Sequence, residues 1–233
     1  MSQRPDSEST SPTCYLGDVD EAYSGVRNQS GQEAVAEWRT RERQRLIDMR
    51  RMIPSEERAH KTTALIENLS RALSNVSGKM VSLYWPIRGE PDLRALRHEI
   101  DAAGGYCCLP VVSIKNHPLS FRRWDQNTVL KKGTWSLAEP TDSEEVTPDV
   151  LLAPFIGIDK NGYRLGYGGG YFDRTLASLK TPFRAIGVGF EEQRIRTIYP
   201  QPHDIPMHLV VTDKHINHGP GKDRQDDDNT KVP

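Results

Sequence analysis

Between Val35 and Ile216 the chain alternates stretches of helical apolar spacing with short, densely apolar runs. Val35, Trp38, Leu46 and Met49 mark a partial stripe along a first helix, Val35–Met52. A second helix is predicted from Pro54-Ser55-Glu56-Glu57, where Ser55 can cap and the two acids suit the positive end of the helix dipole. Its apolar positions Leu65, Ile66, Leu69, Ala72, Leu73 and Val76 keep helical spacing. KMVSLYWPI (79–87) reads as a strand, PDLRALRHEIDAAG (91–104) as a helix stopped by Gly104-Gly105, and YCCLPVV (106–112) as a second, buried strand. This β-α-β order predicts a parallel pair with a right-handed crossover. LSFRRW (119–124) alternates apolar and polar residues and reads as an exposed or edge strand.

The pattern then recurs. DVLLAPFIGID (149–159) is a continuous apolar run, as in a strand buried on both faces. A glycine-rich turn follows, then a short helix around YFDRTLASL (171–179), a strand in FRAIGVGF (183–190) and a last strand in HLVVT (208–212). Strands alternating with helices predict an α/β fold: a three-layer α/β/α sandwich around a mostly parallel, Rossmann-like sheet. No repeat occurs at solenoid periods.

Composition sharpens the boundaries. Only 36% of the 233 residues are hydrophobic and the mean hydropathy is −0.66. The polar surplus is concentrated at the ends, so residues 1–34 and 217–233 are expected to be disordered tails around one domain at 35–216. With 31 Lys+Arg against 32 Asp+Glu the formal net charge is −1, which argues against a nucleic-acid binder acting through bulk charge. No apolar run approaches a membrane span. The amino terminus shows neither a secretory nor a transit pattern, so a cytoplasmic protein is expected. Cys107 and Cys108 read as buried structural thiols of a strand, and no C-x-x-C motif is present.

The chemistry concentrates in DKNGYRLGYGGGYFDR, residues 159–174, where a buried strand gives way to a helix. Asp159-Lys160-Asn161-Gly162 reads as a turn. Gly166, Gly168, Gly169 and Gly170 then place four glycines in five positions, at a high cost in backbone entropy. Successive N–H groups opening onto a helix N-terminus favour an anion, and phosphate fits best. Arg164 can add a charged fork, and Asp173, just beyond the loop, is well placed to hold Mg²⁺. The alternative reading is a flexible strand-to-helix turn. The segment matches neither the Walker pattern nor G-x-G-x-x-G with a distal acid.

RLGYGGGYFDR resembles the signature of the 5-formyltetrahydrofolate cyclo-ligase family, also called 5,10-methenyltetrahydrofolate synthetases. The likeness extends to the basic first helix, a Tyr-x-x-x-x-x-Glu strand end (Tyr84 to Glu90), Trp135 and a His-Asp-Ile-Pro element at 203–206. The resemblance implies an ATP- and Mg²⁺-dependent conversion of 5-formyltetrahydrofolate to 5,10-methenyltetrahydrofolate, with release of ADP and phosphate after phosphorylation of the formyl oxygen. It implies that Arg39 and Arg43, one helical turn apart, contact ATP, and that Arg164, Leu165, Gly166, Tyr167, Gly168, Gly169, Gly170, Tyr171 and Phe172 cradle its phosphates, with Asp173 on Mg²⁺. It places Trp85, Glu90, Trp135, Tyr167 and Tyr171 on the folate side. His208 stands where the family often has a second acid; Asp204 is a possible substitute, with a strand-capping role as its alternative. Arg41, Arg45, Arg50 and Arg51 read as a solvated basic face. The expected partners are the folate and ATP, with neither nucleic acid nor membrane, in a monomer. The alternative function is a nucleotide- or phosphate-binding regulatory module without turnover.

Overall fold

The computed structural model describes residues 31–73, 75–134 and 137–220; the expectations for 1–30, for Trp135 and for 221–233 lie outside these residues. Helices α1 (Gly31–Met52) and α2 (Ser55–Ala72) lead into β1 (Met80–Ser82), α3 (Leu96–Ala102) and β2 (Tyr106–Val111). Then come β3 (Ser120–Arg123), β4 (Leu130–Lys132), β5 (Ala138–Pro140), β6 (Glu145–Val146), β7 (Val150–Pro154), β8 (Gly157–Ile158) and β9 (Arg164–Leu165). Helix α4 (Tyr171–Ser178) is followed by β10 (Arg184–Val188), β11 (Leu209–Val211) and β12 (Ile216–His218).

Eight strands form one sheet in the order β12-β11-β10-β7-β1-β2-β3-β6. The five central strands β11-β10-β7-β1-β2 are mutually parallel; β12 adds an antiparallel edge on one side, and β3, expected as an exposed or edge strand, is instead flanked by β2 and the edge strand β6, antiparallel to both. The mostly parallel α/β sandwich is therefore the observed architecture. Successive side chains of each central strand enter opposite cores. Val150, Leu152, Ile186, Val188, Leu209, Val211 and Cys107 pack with Leu65 and Leu69 of α2 and Ile100 of α3. Leu151, Ala153, Ala185, Val210 and Cys108 pack with Leu176 of α4. This two-sided burial is why these runs carry no polar alternation.

The strand order reverses beside β1. The β1-α3-β2 unit runs outward one way and β7-α4-β10 the other, so their right-handed crossovers fall on opposite faces of the sheet. A crevice opens beyond the carboxyl ends of β1 and β7, the usual ligand position in such sheets. Helix α1 closes one side of it, with Leu46 and Ile47 packed on Ile156, Leu165 and Ile198.

Several boundaries differ from expectation. Helix α1 begins at Gly31, four residues inside the predicted tail. Pro54, not Ser55, takes the cap position of α2, and no side chain caps it. Helix α3 starts only at Leu96, because Asp92 accepts the Arg94 N–H at 3.1 Å and holds the preceding residues in a turn. The 149–159 run divides into β7 and β8: Ile156 N–H turns away to the carbonyl of Leu165 in β9. HLVVT is not the last strand, since β12 pairs antiparallel with β11 using residues assigned to the carboxyl-terminal tail.

Candidate active site

The turn at 159–162 is built by Asp159. Its Oδ1 accepts the N–H groups of Asn161 at 2.9 Å and Tyr163 at 3.1 Å, and Gly162 takes φ +75°. The chain returns as β9 and enters the glycine loop. Two of the four glycines need positive φ: Gly168 at +95° and Gly170 at +64°. Gly170 is the N-cap of α4 in left-handed conformation and has no side chain with which to cap it, and Gly170, Tyr171, Phe172 and Asp173 of this helix start line the crevice. Gly166 is small for another reason, since a Cβ there would lie 2.6 Å from Nη1 of Arg164.

Arg164 and Asp173 are buried and bind each other, Nη2 donating to Oδ2 at 2.8 Å. The Arg164 guanidinium also lies 4.9 Å from the Phe172 ring, and its buried Nε has no hydrogen-bond partner. Asp173 Oδ1 accepts the Ile205 N–H at 3.3 Å. The expected free fork and free metal acid are thus an ion pair at the wall of the crevice. Leu165 lines the crevice but packs its side chain beneath α1.

Helix α1 supplies three inward arginines. Arg39 is buried: Nε donates to the Ile198 carbonyl at 3.0 Å, and Nη2 donates to the Tyr199 carbonyl at 2.9 Å and to Asp204 Oδ2 at 2.5 Å. Asp204 is therefore the counter-ion of Arg39 and caps no strand. Arg43 donates from Nε to the Gly166 carbonyl at 2.8 Å. Burial and the neighbouring Arg39 charge lower its pKa to about 10, partly offset by Asp204, so it stays cationic at neutral pH. Among the described residues no carboxylate is ion-paired with it.

Arg50 corrects the reading of a solvated basic face, because it is 0% exposed. Its neighbours in that reading differ: Arg41, Arg45 and Arg51 are exposed. Arg50 Nη2 donates to the Tyr167 hydroxyl at 2.7 Å, and that hydroxyl donates to Glu90 Oε1 at 2.8 Å. Glu90 Oε2 accepts the Ile87 N–H at 3.0 Å. Burial raises the Glu90 pKa, while Arg50, the Ile87 N–H, Tyr167 and Arg88 pull it back. The Tyr167 phenol is pushed well up, by burial first and then by Glu90.

The crevice joins these parts. Its lining includes Arg39, Arg43, Glu90, Arg164, the glycine loop and Asp173. Trp85, half-buried at the same wall, meets Trp124 edge-on at 6.5 Å and carries the Arg94 guanidinium at 4.7 Å. Tyr171 also lines it, and its hydroxyl accepts the Asn116 N–H at 3.4 Å. His208 is not among the lining residues. Its Nδ1 accepts the Ala185 N–H at 2.9 Å and its ring meets Phe183 edge-on, so it packs on the sheet and cannot stand in for a second acid in the crevice. Sequence reasoning missed Arg50, Tyr84 and Glu139 of the lining and its support. The signal that would have found Arg50 is its spacing, seven residues after Arg43 and so on the same helix face; no pattern singles out Glu139.

Among the described residues no group of three or more His, Cys, Asp or Glu side chains gathers to hold a metal. A hard cation here would use one carboxylate and take its remaining oxygens from a ligand and water, which suits Mg²⁺ beside a nucleotide. Asp173 fits that part, since a carboxylate offers more lone pairs than its two observed contacts use.

A family model described as the 5-formyltetrahydrofolate cyclo-ligase family matches residues 35–213. The chain belongs to the 5-formyltetrahydrofolate cyclo-ligase family. As a cyclo-ligase family member it is an enzyme. It is 31% identical over 180 residues to the 5-formyltetrahydrofolate cyclo-ligase of Mycolicibacterium smegmatis, covering 72% of this chain and 90% of the relative. The Escherichia coli K12 cyclo-ligase is 31% identical over 150 residues, 59% of this chain and 79% of its own length. Among solved structures, Aquifex aeolicus 5,10-methenyltetrahydrofolate synthetase superposes with TM-score 0.69 at 30% identity, over 79% of this chain and 94% of that one. Among the described residues no helix of this cyclo-ligase family member is long and apolar enough to cross a membrane.

Proposed function

We propose that the protein converts 5-formyltetrahydrofolate to 5,10-methenyltetrahydrofolate at the expense of ATP. One observation carries this reading: a single crevice has a cationic, glycine-lined end around Arg43 and the first turn of α4, and a carboxylate end at Glu90 with Trp85 beside it. The first end suits a triphosphate. The second suits a flat heterocycle rich in N–H donors.

The chemistry needs activation because a formyl oxygen is a poor leaving group. The formyl oxygen attacks the γ-phosphorus, and the bond to the ADP oxygen breaks. N10 then attacks the formyl carbon, loses its proton, and the carbon–oxygen bond breaks to release phosphate. The ring carbon keeps bonds to N5 and N10. In this reading the protein aligns donor and acceptor and offsets charge. Arg43 and the α4 N–H groups bind the phosphates, and Arg39 holds the helix at that end through Asp204. Glu90 accepts hydrogen bonds from the pterin or near the reacting nitrogen, and Trp85 and Tyr171 enclose the ring. Asp173 would hold Mg²⁺, which when bound offsets phosphate charge.

The Arg164–Asp173 ion pair, in which the metal acid already has a cationic partner, favours a second reading: nucleotide binding without turnover. One assay separates the two. Purified protein with Mg-ATP and 5-formyltetrahydrofolate should generate the near-UV absorbance of the methenyl product, and chelation of Mg²⁺ should stop it. Nucleotide binding by calorimetry with no absorbance change from folded protein would establish the second reading.

A further inference from the structure

Arg50 is among the largest fully buried side chains. A guanidinium stays charged, so burying it costs several kcal/mol unless its donors and its charge are both met. Nε donates to the Arg88 carbonyl at 3.1 Å and Nη1 to the Phe155 carbonyl at 3.3 Å. Nη2 donates to the Tyr167 hydroxyl at 2.7 Å and lies 3.9 Å from Glu90 Oε1. The nearest counter-charge is thus reached mainly through a hydroxyl, and that hydroxyl belongs to the glycine loop. One side chain on α1 ties together the loop after β1, the end of β7 and the loop between β9 and α4. Those are the segments that form the two ends of the crevice.

We propose that Arg50 is a positioning residue for the reaction: through the Tyr167 hydroxyl it fixes the Glu90 carboxylate at the folate end and fastens the glycine loop to it, setting the distance between donor and acceptor. This deepens the cyclo-ligase reading and rests on it for the reaction, though not for the contacts. A one-ångström change in that spacing is enough to cost a large factor in rate.

The groups facing Glu90 come from every element around it. Arg50 faces it from α1, Arg88 and the Ile87 N–H from its own loop, and Tyr167 from the glycine loop. Tyr84, two residues past β1, donates its hydroxyl to the Pro91 carbonyl at 3.0 Å, and its phenol is pushed well up by burial and then by Glu90. Burial favours the neutral acid of Glu90; Arg50, Ile87, Tyr167 and Arg88 favour the anion. An activity that needs the anion is lost as pH falls through its pKa. Removing a group that favours the anion raises that pKa and moves the acidic limb to higher pH.

Two full-length variants test this against wild type, by the pH dependence of kcat/KM for 5-formyltetrahydrofolate. Tyr167→Phe deletes only the hydroxyl, and Arg50→Lys keeps a charge but loses the planar fork. Tyr167→Phe should raise the folate KM about tenfold, the scale of one hydrogen bond to a charged group. It should also shift the acidic limb upward by about one pH unit. Arg50→Lys should shift the limb the same way with a larger loss of kcat/KM. A merely structural role would lower the yield or thermal stability and leave the limb in place, so an unmoved limb in the folded variants overturns the proposal. If Arg50→Lys does not fold, Tyr167→Phe decides alone. If the wild type shows no turnover, the cyclo-ligase reading fails by itself, and the positioning is read directly from the ¹³C-carboxyl titration of Glu90, identified by its loss in Glu90→Gln. An upward move in Tyr167→Phe supports the link to Glu90, and no move overturns it.

Discussion

Arg39, Arg43 and Arg50 project from one stripe of α1, within about 40° of one another at about 100° per residue, yet the ends of that stripe and its middle are treated differently. At the ends, each arginine meets a carboxylate and two backbone carbonyls: Asp204 with Ile198 and Tyr199 for Arg39, Glu90 with Arg88 and Phe155 for Arg50. In the middle, Arg43 meets one carbonyl, that of Gly166, and stands beside a like charge. A protein that needed Arg43 only for packing would do better without its charge. Under the proposed function, the ends hold the crevice in shape and the middle holds a charge for a ligand.

The sharpest test of that division is Arg50→Met. It strands Glu90 without its cation and leaves two carbonyls unanswered, so a loss of about 3–5 kcal/mol is expected, read as a fall in Tm of about 6–20 °C. Asp204→Asn comes next. It unpairs Arg39 while keeping the acceptor for the Gln201 N–H, with an expected cost of about 3 kcal/mol, the lower end of the range for a broken buried pair. Nucleotide affinity by calorimetry should hold or rise, since an anion next to Arg43 has gone. A collapse of Mg²⁺-dependent turnover would instead make Asp204 part of the cation site. Arg43→Ala should do the reverse of both. Its Tm should stay within a few degrees, while nucleotide binding weakens by about tenfold to a hundredfold, the worth of one or two charge-assisted bonds. Added nucleotide should then raise the Tm of wild type more than that of the variant. Arg41→Ala removes an exposed pair with Glu37 at 3.7 Å and should change stability by less than about 0.5 kcal/mol, measured by denaturant titration.

The same helix shows where the sequence was readable. The central strands stood out because both faces of each are covered, so Leu151 and Leu152 had to be apolar for two different cores. The glycine loop stood out because Gly168 and Gly170 occupy backbone conformations that other residues adopt only with strain. Buried Arg50 did not stand out. A hydropathy pattern counts arginine as surface, although Arg50 shares its stripe with Leu46 and Ile47. Strand β12 was illegible for the opposite reason: Ile216, Asn217 and His218 are all exposed and are held by backbone pairing, which leaves no side-chain pattern. Asp173 was placed correctly at the loop, but its engagement with Arg164 depends on a nine-residue return of the chain that no local spacing encodes.

Cys107 and Cys108 are neighbours whose thiols enter opposite cores, one beneath α2 and α3 and the other beneath α4. Burial pushes Cys107 up to about 12 and Cys108 higher still, so little reactive thiolate exists in the native protein. With Cys14, the third cysteine of the chain, replaced by Ser, the two sulfurs become built-in reporters, one per layer. Under mild denaturant, a maleimide adduct at one site before the other would reveal which half of the sandwich breathes first, and simultaneous labelling would mark a single cooperative opening.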